Sequence, residues 1–163
     1  MVESHPENGH ASLSNVKMDV ISQNVGGCMV GMALNLDEFK TLAALYAPLD
    51  GMNEAGLAVS VNMIQDSAVI EQNTDKPDIT TTTAIRLLLD KAGSVDEALE
   101  LLRQYDLHGS MGMMIQFAIA DSAGRRVAVE YVDNEMVVTE TPVLTNFYLA
   151  EGEKQGIGTE QSH

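Results

Sequence analysis

Cysteine is nearly missing from this 163-residue chain: Cys28 is the single one. A lone cysteine excludes an internal disulfide framework and a cysteine-based zinc cage. Positive charge is scarce as well, with 9 Lys+Arg against 24 Asp+Glu and a formal net charge of −15. That imbalance leaves no electrostatic footprint for a nucleic-acid backbone or an anionic lipid surface, so neither partner is expected. No apolar run approaches the roughly 20 residues of a membrane span, and Met1-Val2-Glu3-Ser4-His5 has neither a basic n-region nor an apolar h-region. A soluble, cytoplasmic protein is the resulting expectation. There is no P-loop, no G-x-G-x-x-G, no Ser-His-Asp signature and no paired-histidine ligand motif among His5, His10, His108 and His163. No cofactor or metal is called for.

What is present is globular. Apolar residues make up 45% and charged residues 20%, which suits one domain with a substantial core. Residues 1–10 are polar and read as a flexible lead-in to that domain. A strand is expected over Leu13–Ile21, a break at Gly26-Gly27 and Gly31, and a short helix after Asp37 that ends before Pro48. Asn53-Glu54-Ala55-Gly56 is turn chemistry. From Leu57 to Met63, apolar Leu57, Val59, Val61 and Met63 alternate with small or amide-bearing Ala58, Ser60 and Asn62, the pattern of a strand with one face in the core. Residues 65–79 read as a surface loop.

Two helices follow. The first spans about Thr81–Ala92, with Ala84, Ile85, Leu88 and Leu89 on one stripe and Gly93 as its C′ residue. Ser94-Val95-Asp96-Glu97 forms a capping box that opens the second, whose stripe is Val95, Ala98, Leu99, Leu102 and Tyr105 and which Gly109 closes. A meander comes next: strands over Met113–Ile119, Arg126–Tyr131, Met136–Thr139 and Val143–Asn146, with turns at 121–124 and 133–134. The order of elements indicates α+β, an antiparallel sheet with a helical hairpin packed on it.

Residue chemistry by itself leaves the site open. Asn62 and Asn146 are amides on strands, where β-propensity disfavours them. Each either satisfies local backbone groups, as Asn commonly does, or points its N–H groups into a cleft where an oxyanion develops. Cys28 reads as a small buried hydrophobe. Of Met52, Met63, Met111, Met113 and Met114, most suit core filling, and Met63 is the candidate for an adaptable pocket wall.

Three segments add a family resemblance. Asp50-Gly51-Met52-Asn53-Glu54-Ala55-Gly56-Leu57 resembles the D-G-M-N-E-x-G-L signature of the choloylglycine hydrolases, linear amide C–N hydrolases that include bile salt hydrolases and penicillin V acylases. Val143-Leu144-Thr145-Asn146 resembles the later V-x-T-N segment of that family, and the hairpin around Asp121–Gly124 is similar to the one preceding it. The resemblance implies part of a four-layer αββα N-terminal-nucleophile hydrolase sandwich. It also implies a small-molecule amide substrate, cleaved through an acyl-enzyme on an N-terminal cysteine whose α-amino group is the base.

Carried over, Asn146 and Asn62 are the oxyanion-hole residues, with Met63 the alternative to Asn62 if the register shifts by one. No nucleophile matches. Met1-Val2 begins the chain, and Cys28 lacks the Arg and Asp expected shortly after it. Residues 1–163 are therefore expected to be a single incomplete amidohydrolase domain of bacterial type, inactive as it stands and self-associating through unpaired sheet edges. The alternatives are a non-catalytic binding domain on the same scaffold, or an acyltransferase-like enzyme self-cleaved at Gly27-Cys28.

Overall fold

A computed structural model describes residues 1–16, 44–64, 66, 68–110 and 112–151. Seven strands form one antiparallel sheet in the order β1 (Val2–Ser4), β2 (Ser12–Val16), β3 (Pro48–Asn53), β4 (Ala58–Ile64), β7 (Met114–Ala120), β8 (Arg126–Val132), β9 (Glu135–Glu140). Between β4 and β7 the chain leaves the sheet through β5 (Asp78–Thr80), α1 (Thr81–Lys91), α2 (Val95–Leu102) and β6 (Asp106–His108), with β5 and β6 paired in parallel.

One face of the sheet carries the core. Val59 of β4, Ile115, Phe117 and Ile119 of β7, and Val127, Val129 and Tyr131 of β8 are all buried beneath the helices. The expected stripes meet them: Ala84, Ile85, Leu88 and Leu89 from α1, and Val95, Ala98, Leu99 and Leu102 from α2. Fully burying one such Leu, Ile or Phe contributes about 1.5–3 kcal/mol, so this single layer contact supplies most of the drive to fold. The helical hairpin on an antiparallel sheet is thus as the periodicity indicates. Among the described residues, α1 and α2 are the α-helices, and both lie on this one face. They and the sheet form two layers of the kind an αββα sandwich stacks. No helix of the described residues is long and apolar enough to cross a membrane.

In the D-G-M-N-E-x-G-L segment, Asp50 to Asn53 complete β3 and Glu54-Ala55 make the expected turn. The segment's side chains fasten the β3–β4 hairpin to the end of α1. Asn53 is buried; its Nδ2 donates to the carbonyls of Leu89 (3.0 Å) and Ala92 (2.7 Å), and its Oδ1 accepts from Leu57 N (3.0 Å). A Cβ on Gly51 would stand 2.7 Å from Leu89 Cδ1 and 2.8 Å from the Leu13 carbonyl oxygen, so no larger residue fits between helix and neighbouring strand. Gly56 turns the chain at φ +88°, a conformation glycine reaches without steric cost.

Several expectations are corrected. Residues 1–10 are not a loose lead-in: Val2–Ser4 pairs with β2, His10 N donates to the Asp90 carbonyl (2.8 Å), and Lys91 Nζ donates to that of Asn8 (2.5 Å). A three-residue edge strand has too little apolar pattern to stand out. The Leu13–Ile21 strand is described only as Ser12–Val16. Its remainder, Cys28 and the start of the helix after Asp37 lie outside the described residues, and a 3₁₀ turn at Ala44–Tyr46 precedes Pro48.

Gly93 stands at C′ as expected, directly after the C-cap Ala92, but without a left-handed backbone. Helix α1 runs into an extended Ala92, and Asn53 takes its last carbonyls instead. The capping box of α2 is half as expected: Ser94 Oγ accepts from Glu97 N (3.3 Å), whereas Glu97 Oε2 accepts from Gly93 N (2.7 Å) rather than from Ser94. Tyr105 and Gly109 are not part of α2, which ends at Leu102. The buried Asp106 carboxylate takes the backbone N–H (2.5 Å) and hydroxyl (2.6 Å) of Thr74 and holds β6 against the 65–79 loop. Val143–Asn146 is irregular rather than a strand.

Candidate functional site

The second face of the sheet carries no helix among the described residues. Strand alternation puts Ala58, Ser60 and Asn62 of β4 there, beside their partners Ala120, Ala118 and Gln116 of β7. Alanines and a serine leave the middle of this face nearly without side-chain volume. The result is a cavity of about 630 Å³ floored by Ala58, Ser60, Ala118 and Ala120. Met1, Leu13, Met52 and Val143 border it, four of the seven large apolar side chains exposed among the described residues. Clustered exposure of that kind marks a binding surface.

Polar groups stand at its two ends. Asp50 on β3 pairs in register with Ser60, and Asn15 Nδ2 donates to Asp50 Oδ1 (2.7 Å). At the far side Arg126, the first residue of β8, pairs with Ala120. Its Nε reaches the Gly124 carbonyl at 3.4 Å, and no carboxylate pairs with it among the described residues.

The segment 141–151 crosses the same face beside the cavity. Two buried side chains of the sheet hold it. Gln116 Nε2 donates to the Thr145 carbonyl, and Glu130 accepts from Leu149 N and Ala150 N, both at 2.7 Å. The Tyr148 hydroxyl donates to Asp66 Oδ2 (2.8 Å); burial, with that carboxylate, pushes its pKa well up. Tied down in this way, the segment brings Asn146 over β4, where Asn62 Nδ2 donates to Asn146 Oδ1 at 3.4 Å. Two amides 84 positions apart in the sequence therefore meet on the cavity face, two residues beyond the lining residues Ser60 and Leu144.

Of the candidate residues, Asn62 and Asn146 are brought together. Met63 is not with them: it pairs with Ile115 on the opposite face and does not line the cavity. Met52 is the methionine at the cavity, while Met114 is buried in the core and Met111 lies outside the described residues, as does Cys28. Sequence reasoning missed Gln116 and Glu130, although a glutamine and a glutamate inside alternating apolar strands carry the signal: a polar residue on a covered strand needs a partner. It missed Asn15 and Arg126 too, whose roles depend on register. Among the described residues no group of three or more His, Cys, Asp or Glu is arranged to hold a metal ion.

The chain is similar to penicillin V acylase from Agrobacterium tumefaciens, at 25% identity and a TM-score of 0.50 over 60% of this chain and 30% of that one. A variant of conjugated bile acid hydrolase from Clostridium perfringens matches at 21% identity and a TM-score of 0.50, over 59% of this chain and 32% of that one. The chain thus spans about a third of the length of the solved structures it matches. No curated protein matches it. Both structures have the N-terminal-nucleophile hydrolase fold expected from the D-G-M-N-E-x-G-L signature. Residues 18–162 match the family described as acyl-coenzyme A:6-aminopenicillanic acid acyl-transferase, and with nearly the whole sequence inside that match the chain belongs to this family.

Proposed function

We propose that these residues form the carbonyl-binding and acyl-binding part of an enzyme that cleaves a linear amide C–N bond through a cysteine acyl-enzyme. The observation that carries the proposal is the Asn62–Asn146 contact at 3.4 Å beside an apolar cavity. An amide carbonyl oxygen inserted between the two side chains would take an N–H from each. Asn62 already presents its Nδ2 there, and rotation of the Asn146 amide about χ2 exchanges its Oδ1 for its Nδ2. Such donors hold the negative charge that develops when a thiolate adds to the carbonyl. Each is worth about 2.7–4 kcal/mol in the transition state. The tetrahedral adduct then expels the amine, and water attacks the thioester at the same two donors to release the acid.

The nucleophile in this reading is a cysteine outside these 163 residues, consistent with a match that covers only about a third of each structural relative. The 163-residue chain is then inactive by itself. Penicillins and conjugated bile acids, the compounds for which those relatives are named, are the first substrates to try.

One observation favours a second reading. The family match begins at residue 18 and so includes Gly27-Cys28, the junction at which self-cleavage would expose Cys28 as an N-terminal nucleophile. Amine release from penicillin V and glycocholate, measured with the chain and with Cys28→Ala, separates the two. The first reading expects no turnover by either protein. Turnover that Cys28→Ala abolishes, with an intact mass lowered to that of residues 28–163, would overturn it.

A further inference from the structure

We propose that Arg126 is the anchor for an anionic group at the far end of the acyl chain, making the preferred substrate an amide with an apolar body and a distal carboxylate. The inference rests on reading Asn62 and Asn146 as the carbonyl site. Three observations lead to it. In a chain of net charge −15, Arg126 has no carboxylate partner among the described residues, whereas its neighbour Arg125 is ion-paired to both Asp96 and Glu140. Arg126 also lines the cavity, on the same sheet face as the apolar floor. The one carboxylate on the lining, Asp50, stands two strands away from β7 and across the cavity from Arg126, so its charge favours an anion at the Arg126 end.

Register then sets the length of the ligand. Asn62 pairs with Gln116 and Arg126 with Ala120, which puts Asn62 and Arg126 two strands and four residues apart. At about 4.8 Å between strands and about 3.4 Å per residue, their Cα atoms are roughly 17 Å apart. The arginine side chain extended inward spans part of that distance, and an acyl chain of several methylenes spans the rest. The anion belongs to the opposite end of the acyl group, with the methylenes between lying over Ala58, Ala118 and Ala120. A guanidinium offers the planar, two-pronged donor pair that a carboxylate accepts.

The test is equilibrium binding to the full chain, read by calorimetry and by the methyl resonance of Met52, with two probes. One is the monoamide of decanedioic acid; the other is decanamide, which has the same amide and chain without the carboxylate. The expected result is binding of the monoamide about tenfold tighter than decanamide. Arg126→Gln should erase that preference, and Arg126→Lys should keep part of it. Arg126 is exposed at the start of its strand, so unchanged circular dichroism should accompany both variants. Equal affinity for the two probes, a preference that survives Arg126→Gln, or no binding of either probe would overturn the proposal. Asn146→Ala tests the underlying reading separately: if it leaves both affinities unchanged while the carboxylate preference persists, the carbonyl site is wrong and the anion anchor stands.

Discussion

Replacing Asn53 with alanine should be among the most damaging single changes in the chain, although Asn53 touches no part of the candidate site. Three hydrogen bonds end on its side chain: two donated to the carbonyls of Leu89 in α1 and of Ala92 just after it, and one accepted from Leu57 N. All lie at a buried junction where water cannot replace them, Asn53 being 4% exposed. A typical hydrogen bond contributes about 0.5–1.5 kcal/mol net, and each buried group left unpaired costs about 1–3 kcal/mol. The two carbonyls can recover part of that by relaxation at the helix end, so a loss of about 3–5 kcal/mol is expected. With a urea m-value near 2 kcal/mol/M for a domain of this size, the unfolding midpoint should fall by about 2 M. Asn53→Asp sharpens the test. It keeps the acceptor for Leu57 N but turns a carboxylate oxygen toward two carbonyl oxygens, and so should be no more stable than the alanine variant. Urea denaturation followed by far-UV circular dichroism reads both. A midpoint shift below about 0.5 M for Asn53→Ala, or wild-type stability in Asn53→Asp, would refute the view that this signature residue fastens the hairpin to the helix.

Glu130→Ala removes the acceptor for Leu149 N and Ala150 N. Amide exchange at those two positions should accelerate at least tenfold, with α1 and α2 unaffected; unchanged exchange there would deny Glu130 its hold on the Asn146 segment. The Thr74 hydroxyl and backbone N–H, with Lys76 adding to them, keep the Asp106 carboxyl below the usual carboxylate range. A depressed folded pKa contributes stability that is present above the unfolded value of about 3.9 and lost as pH falls through the folded one. Thr74→Val should therefore be destabilised at pH 7, and its gap from wild type should narrow as pH falls below the unfolded value and on through the folded one in a pH series of thermal melts. A gap independent of pH would contradict this. The outer edges of β1 and β9 carry no further strand among the described residues, so the chain should self-associate, and more so as salt screens its acidic charge. Light scattering that finds a monomer at all concentrations and salt levels would count against it.

The parts of this fold legible in the sequence are those with a period. The α1 and α2 stripes and the alternation of β4, β7 and β8 follow from burial on one face, and that burial is what the residues encode. The small face of β4, Ala58, Ser60 and Asn62, was equally plain, and its Ala58 and Ser60 floor the cavity. What the sequence concealed depends on tertiary contact. Gly51 and Asn53 have poor strand propensity, yet they lie in β3 because α1 passes directly above them and only a glycine and a hydrogen-bonding amide fit there. Tyr105 continues the apolar spacing of α2, but the helix ends at Leu102 and the chain passes into β6, where Thr74 holds the Asp106 carboxylate. Asn62 and Asn146 were identifiable one at a time, as amides in places that disfavour them. Their meeting required Gln116 and Glu130 to draw an irregular segment across the sheet. Met63, one residue beyond Asn62, projects from the opposite face of β4 because side chains alternate along a strand.

The central claim, that Asn62 and Asn146 together receive a carbonyl oxygen, is tested most directly by following their side-chain amide resonances. A ¹⁵N-labelled chain would be titrated with decanamide, after assignment of the signals through Asn62→Asp and Asn146→Asp. The account predicts that both pairs of amide signals shift together and saturate at one dissociation constant, and that either substitution weakens binding. Saturable binding that moves neither asparagine, or an affinity that both substitutions leave intact, would contradict it.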